Sequence, residues 1–78
     1  MLKLSPAAFS AAVTEEMVAQ AITVAELAKR LGITTAGVYS QLGARKRPQG
    51  DTVARYAKAL KLAPKALLAR IRAKEVEA

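Results

Sequence analysis

The sequence lacks cysteine and histidine altogether. Their absence excludes disulfide bonds, thiolate chemistry and the usual zinc ligands, and it is consistent with a reducing compartment. It also removes the commonest side-chain nucleophile and general base, while the six carboxylates are scattered and the four glycines follow no phosphate-loop spacing. We therefore expect no enzymatic activity, no metal ion, no cofactor and no small-molecule ligand.

Aromatic residues and long hydrophobic runs are also scarce. Phe9, Tyr39 and Tyr56 are the only aromatic residues, too few for the stacking platforms that bind single-stranded nucleic acid. No apolar run is long enough to suggest a signal peptide or a membrane span, so we expect a cytoplasmic protein. What the sequence does contain is 53% hydrophobic residues, many of them alanine, which favours helix. We expect residues 1–78 to form one small helical domain.

The net charge of +7 is unevenly distributed. Residues 29–74 contain twelve of the thirteen Lys and Arg residues but a single acid, Asp51. A basic field confined to one part of the chain suits a polyanion such as nucleic acid. Charge alone would equally fit a soluble helical protein whose lysines are simply solvated.

A central stretch, TVAELAKRLGITTAGVYSQL, predicts two short helices that are joined at Gly32. Thr23 and Glu26 have the spacing of a capping box, in which each side chain satisfies a backbone N–H of the other residue. Apolar residues then repeat at helical spacing up to Gly32, where a left-handed residue without a Cβ atom ends the helix. Ile33 is expected to be a buried link, and Thr34 to cap the second helix. A helix, a glycine turn and a second helix are the parts of the DNA-reading helix-turn-helix.

Three further helices are predicted, at about residues 6–20, 51–61 and 64–74. Ser5 and Pro6 form a good start for the first, as N-cap and first helical residue. Residues 1–4 are expected to be an extended arm, and residues 75–78 a fraying tail. Glu15 and Glu16 are expected to be a solvated pair. The side chains that should face the core are Phe9, Val13, Met17, Val18, Ile22, Leu27, Ala28, Leu31, Val38, Leu42, Val53, Tyr56, Ala57, Leu60, Leu67, Leu68 and Ile71.

At these residues the chain resembles the lambda-repressor/Cro-type (XRE-like) helix-turn-helix family. Ala28, Gly32 and Val38 stand at the spacing of that family's small residue, turn glycine and core aliphatic residue. The resemblance continues through Pro48, TVARYAKAL and PKALL, and covers roughly Met17 to Ile71. The chain departs from the family pattern at four positions: the family usually has glutamine where Val24 stands and an aliphatic residue where Gln41 stands, and Gly and Ser are common where Lys61 and Ala63 stand. The resemblance implies an all-α fold of five helices, in which helices two and three form the helix-turn-helix.

With Val38 and Leu42 facing inward, the opposite side of helix three carries the expected base-reading residues, which are Thr35, Ala36, Tyr39 and Ser40. The expected phosphate-binding residues are Thr23, Thr34, Arg45, Lys46, Arg47 and Arg55. Lys29 and Arg30, near the end of helix two, suit the helix dipole at least as well as a DNA contact. The expected partner is double-stranded DNA, which the protein would bind as a small phage or bacterial repressor associated with the nucleoid.

Two other functions stay open at this point. A helix-three face without Arg, Asn or Glu would suit a non-specific architectural nucleic-acid binder, and the scaffold would also suit a protein-interaction module of antitoxin-like or recombination-accessory type. Family members often pair two-fold on DNA. Since only helix five and the N-terminal arm offer a surface for this, we expect a weak homodimer, or one formed only on DNA.

Overall fold

The computed structural model describes residues 5–43 and 50–77, with the backbone alone at residues 50, 76 and 77. This part of the chain is entirely helical and contains no strand. The predicted all-α fold is confirmed. Its five helices are α1 (Pro6–Gln20), α2 (Val24–Leu31), α3 (Thr35–Leu42), α4 (Gly50–Ala59) and α5 (Pro64–Glu77).

The first three helices begin at the hydroxyl-bearing residues that the sequence indicated. Each hydroxyl oxygen accepts a hydrogen bond from a backbone N–H that the first helical turn leaves unpaired. The three bonds run from Ala8 N to Ser5 Oγ (3.3 Å), from Glu26 N to Thr23 Oγ1 (3.1 Å) and from Gly37 N to Thr34 Oγ1 (3.0 Å).

Helices α1, α2 and α4 are each followed by a residue in the left-handed conformation. These residues are Ala21 (φ 55°), Gly32 (φ 72°) and Lys61 (φ 59°). In each case its N–H and the next N–H turn back to carbonyls of the last helical turn, which closes the helix. Helix α4 therefore ends at Ala59, two residues before the predicted end, because Lys61 already has the left-handed conformation.

The core lies where α1 crosses α5 and where α4 packs against α2 and α5, while α3 rests on α1 and α2. Most of the predicted core residues are buried, and Ile22, Leu31, Leu42 and Leu68 are partly buried against them. Two predictions were wrong. Val18 is 76% exposed, and Ile33 is 37% exposed with its side chain against Gly37, where the missing Cβ leaves room.

Glu16 occupies the edge of α1 that was assigned to Val18. The buried residues of α1 include Ala12, Val13, Glu16 and Met17. The face of α1 that packs against the core therefore contains Glu16 and not Val18. Glu16 is only 7% exposed, and its Oε2 lies 2.9 Å from Arg70 Nη1 of α5. The prediction of a solvated acidic pair was therefore wrong.

Two further contacts tie α1 to the C-terminal half of the chain, from Gln20 and from Glu15. Gln20 Nε2 donates to Glu16 Oε1 (3.0 Å) and to the carbonyl of Leu60 (2.6 Å), next to the end of α4. The carboxylate of Glu15 forms an ion pair with Lys74.

Helix α5 is three residues longer than the sequence suggested. It was expected to end at Lys74 and to fray over residues 75–78, whereas the structure continues the helix to Glu77. The N–H of Ser5 donates to Glu75 Oε1 at 3.3 Å, so the last turn of α5 contacts the start of α1. This contact joins residues 70 positions apart, which local sequence patterns do not reveal.

Candidate nucleic-acid interface

Helix α3 exposes all four predicted base-reading residues, three of them on the side that faces away from the core. Its inner side is anchored by Val38, which is fully buried, and by Leu42, which is half-buried. Because a helix turns by about 100° per residue, Ala36, Tyr39 and Ser40 point about 100–160° away from Val38. Thr35 lies only about 60° from Val38 but is the first residue of the helix, and all four residues are exposed.

The chemistry of this exposed face is unusual for a surface that reads bases. Tyr39 is 64% exposed and is its largest side chain, while its neighbours carry only short hydroxyl and methyl groups. Hydroxyl groups can bond to several base edges, and methyl groups suit the methyl group of thymine. The face can therefore make van der Waals contacts and single hydrogen bonds. It cannot make the bidentate hydrogen bonds of Arg with guanine or of Asn with adenine.

Gln41 flanks this face and forms a hydrogen bond with a buried residue. Its Oε1 accepts a 2.6 Å hydrogen bond from the hydroxyl of Tyr56, a buried residue of α4 whose ring packs edge-on against Phe9 of α1 at 5.1 Å. Burial raises the pKa of Tyr56 above its usual value, so the hydroxyl stays protonated and donates. The Gln41 amide therefore joins α3 to α4 at the position where the family usually has an aliphatic residue.

The sequence held a signal for this hydrogen bond that the prediction did not use. Tyr56 was placed in the core stripe of α4, and a buried tyrosine hydroxyl needs a polar partner. Gln41 was the polar residue at a normally aliphatic position. Since the two lie fifteen residues apart on different helices, the pairing could be known only once the helices were packed.

The N-termini of α2 and α3 are capped by two of the predicted phosphate-binding residues. Thr23 and Thr34 are both exposed, and each hydroxyl oxygen already accepts a backbone N–H. A threonine hydroxyl can accept and donate at the same time, so its hydrogen is free to bond to an anion. The partial positive charge of a helix N-terminus favours such an anion.

The two arginines of this region have different surroundings. Arg55 is highly exposed and only 3.8 Å from Asp51, a weak contact that leaves its guanidinium accessible to an anion. Arg30 instead donates to the carbonyl of Ala59 at the end of α4 (3.0 Å) and lies 3.4 Å from Glu26. Glu26 therefore pairs with Arg30 and does not complete the predicted capping box. Arg30 therefore has a structural role, through its contacts with Ala59 and Glu26.

The remaining predicted phosphate-binding residues, Arg45, Lys46 and Arg47, lie outside the described residues. In the part of the chain that is described, no group of acidic side chains is arranged to hold a metal ion. No helix in that part is long and apolar enough to cross a membrane.

The family comparison agrees with this geometry. The model of the family described as the Cro/C1-type HTH DNA-binding domain matches residues 13–73, which includes all of α2, α3 and α4. The chain belongs to this family. The resemblance to lambda-repressor and Cro-type proteins is thereby confirmed, and the Cro/C1-type domain is a DNA-binding, non-enzymatic family. Comparisons with curated proteins and with solved structures give no match.

Proposed function

We propose that this Cro/C1-type domain is a sequence-specific regulator of transcription that binds double-stranded DNA. On this proposal it is a small phage or bacterial repressor that occupies an operator in the cytoplasm and blocks polymerase. The observation that carries the proposal is the exposed face of α3 opposite the buried Val38, in a domain of a DNA-binding family.

The proposed contacts divide into two groups. Thr35, Ala36, Tyr39 and Ser40 read base edges in the major groove, where the first turns of a recognition helix approach the bases. The phosphate backbone is held by Thr23 and Thr34 at two helix N-termini, by Arg55, and by the loop residues Arg45, Lys46 and Arg47. The short side chains of the reading face give modest discrimination, near the low end of about 1–3 kcal/mol per base pair.

The test is selection of bound duplexes from a random library at about 150 mM salt, where non-specific binding is weak. An enriched motif supports the proposal. Its symmetry then reports the number of bound copies, since a palindrome indicates two domains and a single half-site indicates one. We expect a palindrome, bound by a weak homodimer or by one that forms only on DNA. Binding at low salt without any enriched motif would contradict the proposal that the protein binds a specific DNA sequence.

One observation favours a second candidate function. The exposed face of α3 has none of the long side chains that make two hydrogen bonds to one base, whereas residues 29–74 carry a large excess of positive charge. Both features fit an architectural protein that binds the DNA backbone and makes no specific contacts with the bases. This function predicts the same salt dependence as the repressor but equal affinity for unrelated duplexes of one length.

A further inference from the structure

A cleft lined by positively charged residues lies between the C-terminal ends of α2 and α4. It has a volume of about 400 Å³. Leu31 and Ala59 contribute apolar surface to it. The cleft, which we call the α2–α4 cleft, is bordered by the positively charged side chains Arg30, Arg55, Lys58 and Lys61.

The positive charge of the cleft is only partly compensated within the molecule. Arg30 is held by the Ala59 carbonyl and Glu26, and Arg55 lies 3.8 Å from Asp51. Lys58 and Lys61 are exposed, and neither ammonium group has an ion pair or hydrogen bond with any described residue. Because Arg30 already donates at the carbonyl end of α4, the two lysines are not needed to satisfy that helix end.

The conformation of Lys61 adds a second observation. Its left-handed backbone suits glycine, and a residue with a Cβ atom there costs roughly 1–2 kcal/mol of stability. Ala21 has the same conformation after α1, so the conformation itself marks a helix end, and what distinguishes Lys61 is its position in the cleft. Lysine at this position adds a positive charge to the cleft at the expense of stability.

We propose that the α2–α4 cleft binds an acidic peptide segment of a partner protein, in which carboxylates flank an apolar side chain. The carboxylates pair with Lys58 and Lys61, while the apolar side chain covers Leu31 and Ala59. Charge complementarity selects such a partner, because a second copy of this domain that met the cleft with its own cleft would place like charges opposite one another.

The position of the cleft argues against DNA as its occupant. It lies at the C-terminal end of α2, whereas the proposed phosphate contact at Thr23 is at the N-terminal end, about 12 Å away along an eight-residue helix. Arg55 is the boundary between the two surfaces, since it also lines a smaller recess together with Gln41 and Thr52. The test therefore leaves Arg55 unchanged.

The test measures binding of a short fluorescein-labelled peptide made of Glu-Glu-Leu repeats, by fluorescence anisotropy at physiological salt. Wild-type protein is compared with the double variant Lys58→Glu/Lys61→Glu and with Lys65→Glu/Arg72→Glu, which makes the same charge change at exposed positions of α5. We expect the first variant to bind the peptide at least about tenfold more weakly, and the second to bind nearly as well as wild type. Both variants should keep their affinity for duplex DNA within a few-fold of one another.

Three results would overturn the proposal. Equal weakening by both double variants would show only a general charge effect, and no weakening by the first would show that the cleft is not used. Loss of duplex binding in parallel with peptide binding in the first variant alone would assign the cleft to the DNA surface.

A second measurement does not depend on the variants, because peptide-induced NMR shifts in wild-type protein must centre on Leu31, Ala59 and Lys61 and not on α3. The peptide with Gln in place of Glu is the matched control and should not bind.

Discussion

At the scale of single residues, the backbone conformation of the residue that closes a helix determines which side chain fits there without strain. Gly32 and Lys61 have nearly the same left-handed φ, of 72° and 59°, but only the first lacks a Cβ atom. A Cβ atom built on Gly32 would meet no atom within 4 Å, so replacing this glycine tests backbone strain without a steric clash.

We predict that Lys61→Gly raises the free energy of unfolding by about 0.5–1 kcal/mol, since relief of strain exceeds the added entropy of the unfolded chain. Gly32→Ala is the matched opposite change and should lower it by a similar amount, about 0.5–1 kcal/mol. Urea unfolding of both variants measures the two values. If the two substitutions have the same sign, the left-handed conformation is not what sets stability at these positions.

The hydroxyl of Tyr56 gives a prediction about pH. Burial raises the pKa of Tyr56 in the folded protein above its unfolded value, so the stabilisation is complete below about pH 10. It is lost as the pH rises through the folded-state pKa, because the unfolded chain releases the proton first. We predict that wild-type protein loses more stability than Tyr56→Phe between pH 8 and about pH 11.

The comparison with Tyr56→Phe is needed because lysines also lose charge in this range. At pH 7 the variant should be less stable by about 0.5–1.5 kcal/mol, the usual net contribution of one hydrogen bond. Unfolding free energies at both pH values provide the measurement. Identical alkaline losses in the two proteins would remove Tyr56 as the cause.

At the scale of helices, the ion pairs between α1 and α5 differ in burial and therefore in strength. Glu16 is almost fully buried and receives hydrogen bonds from two side chains, whereas the Glu15 side chain is more than half exposed. A buried carboxylate that loses its partner keeps the penalty of its desolvation, which an exposed one does not.

We predict that a double-mutant cycle of Glu16→Ala and Arg70→Ala gives a coupling energy of about 1–2 kcal/mol. The matched cycle of Glu15→Ala and Lys74→Ala should give less than about 1 kcal/mol, as exposed pairs do. Thermal or urea unfolding of the four proteins in each cycle measures both energies. Equal coupling in the two cycles would mean that burial does not decide the strength of these pairs.

The outer face of α3 gives a prediction about DNA binding that rests on the proposed function. Tyr39 is its largest exposed side chain and has no role in the core, so Tyr39→Ala should leave folding intact. We predict that this variant binds its selected duplex about five- to tenfold more weakly, through the loss of about 1–1.4 kcal/mol of contact with base or phosphate. Val18→Ala, at an equally exposed site on α1, is the control and should bind as wild type does. Unchanged affinity of Tyr39→Ala for every duplex would remove this face from the interface.

At the scale of the whole molecule, the excess of positive charge predicts how DNA binding responds to salt. Each neutralised phosphate releases bound counterions, and six to ten contacts lower the affinity by about 10³–10⁵ between 50 and 200 mM salt. Binding titrations over this range give the number of contacts from the slope. A flat response would contradict the assignment of Arg45, Lys46 and Arg47 to the DNA backbone, and Lys65→Glu should change the slope little.

The sequence by itself determined the helix starts, the turn at Gly32 and the fold class. These features depend on interactions within three or four residues, such as the hydroxyl caps of Ser5, Thr23 and Thr34, and on a repeating apolar pattern. The same pattern placed Ala36, Tyr39 and Ser40 on the exposed side of α3, because Val38 fixed the rotation of that helix. Local chemistry was sufficient for all of these.

Only the tertiary structure decided which polar groups meet in the interior. Because valine is apolar, the sequence predicted that Val18 and not Glu16 faces the core. In the structure Arg70 and Gln20 bind the Glu16 carboxylate, and Val18 is exposed to solvent. In the same way Tyr56 fixes Gln41, and Ser5 contacts the last turn of α5. Apart from the Gln20–Glu16 hydrogen bond within α1, these pairings join residues fifteen to seventy positions apart, and their free energy exists only when the helices are packed, so no local pattern in the sequence encodes them.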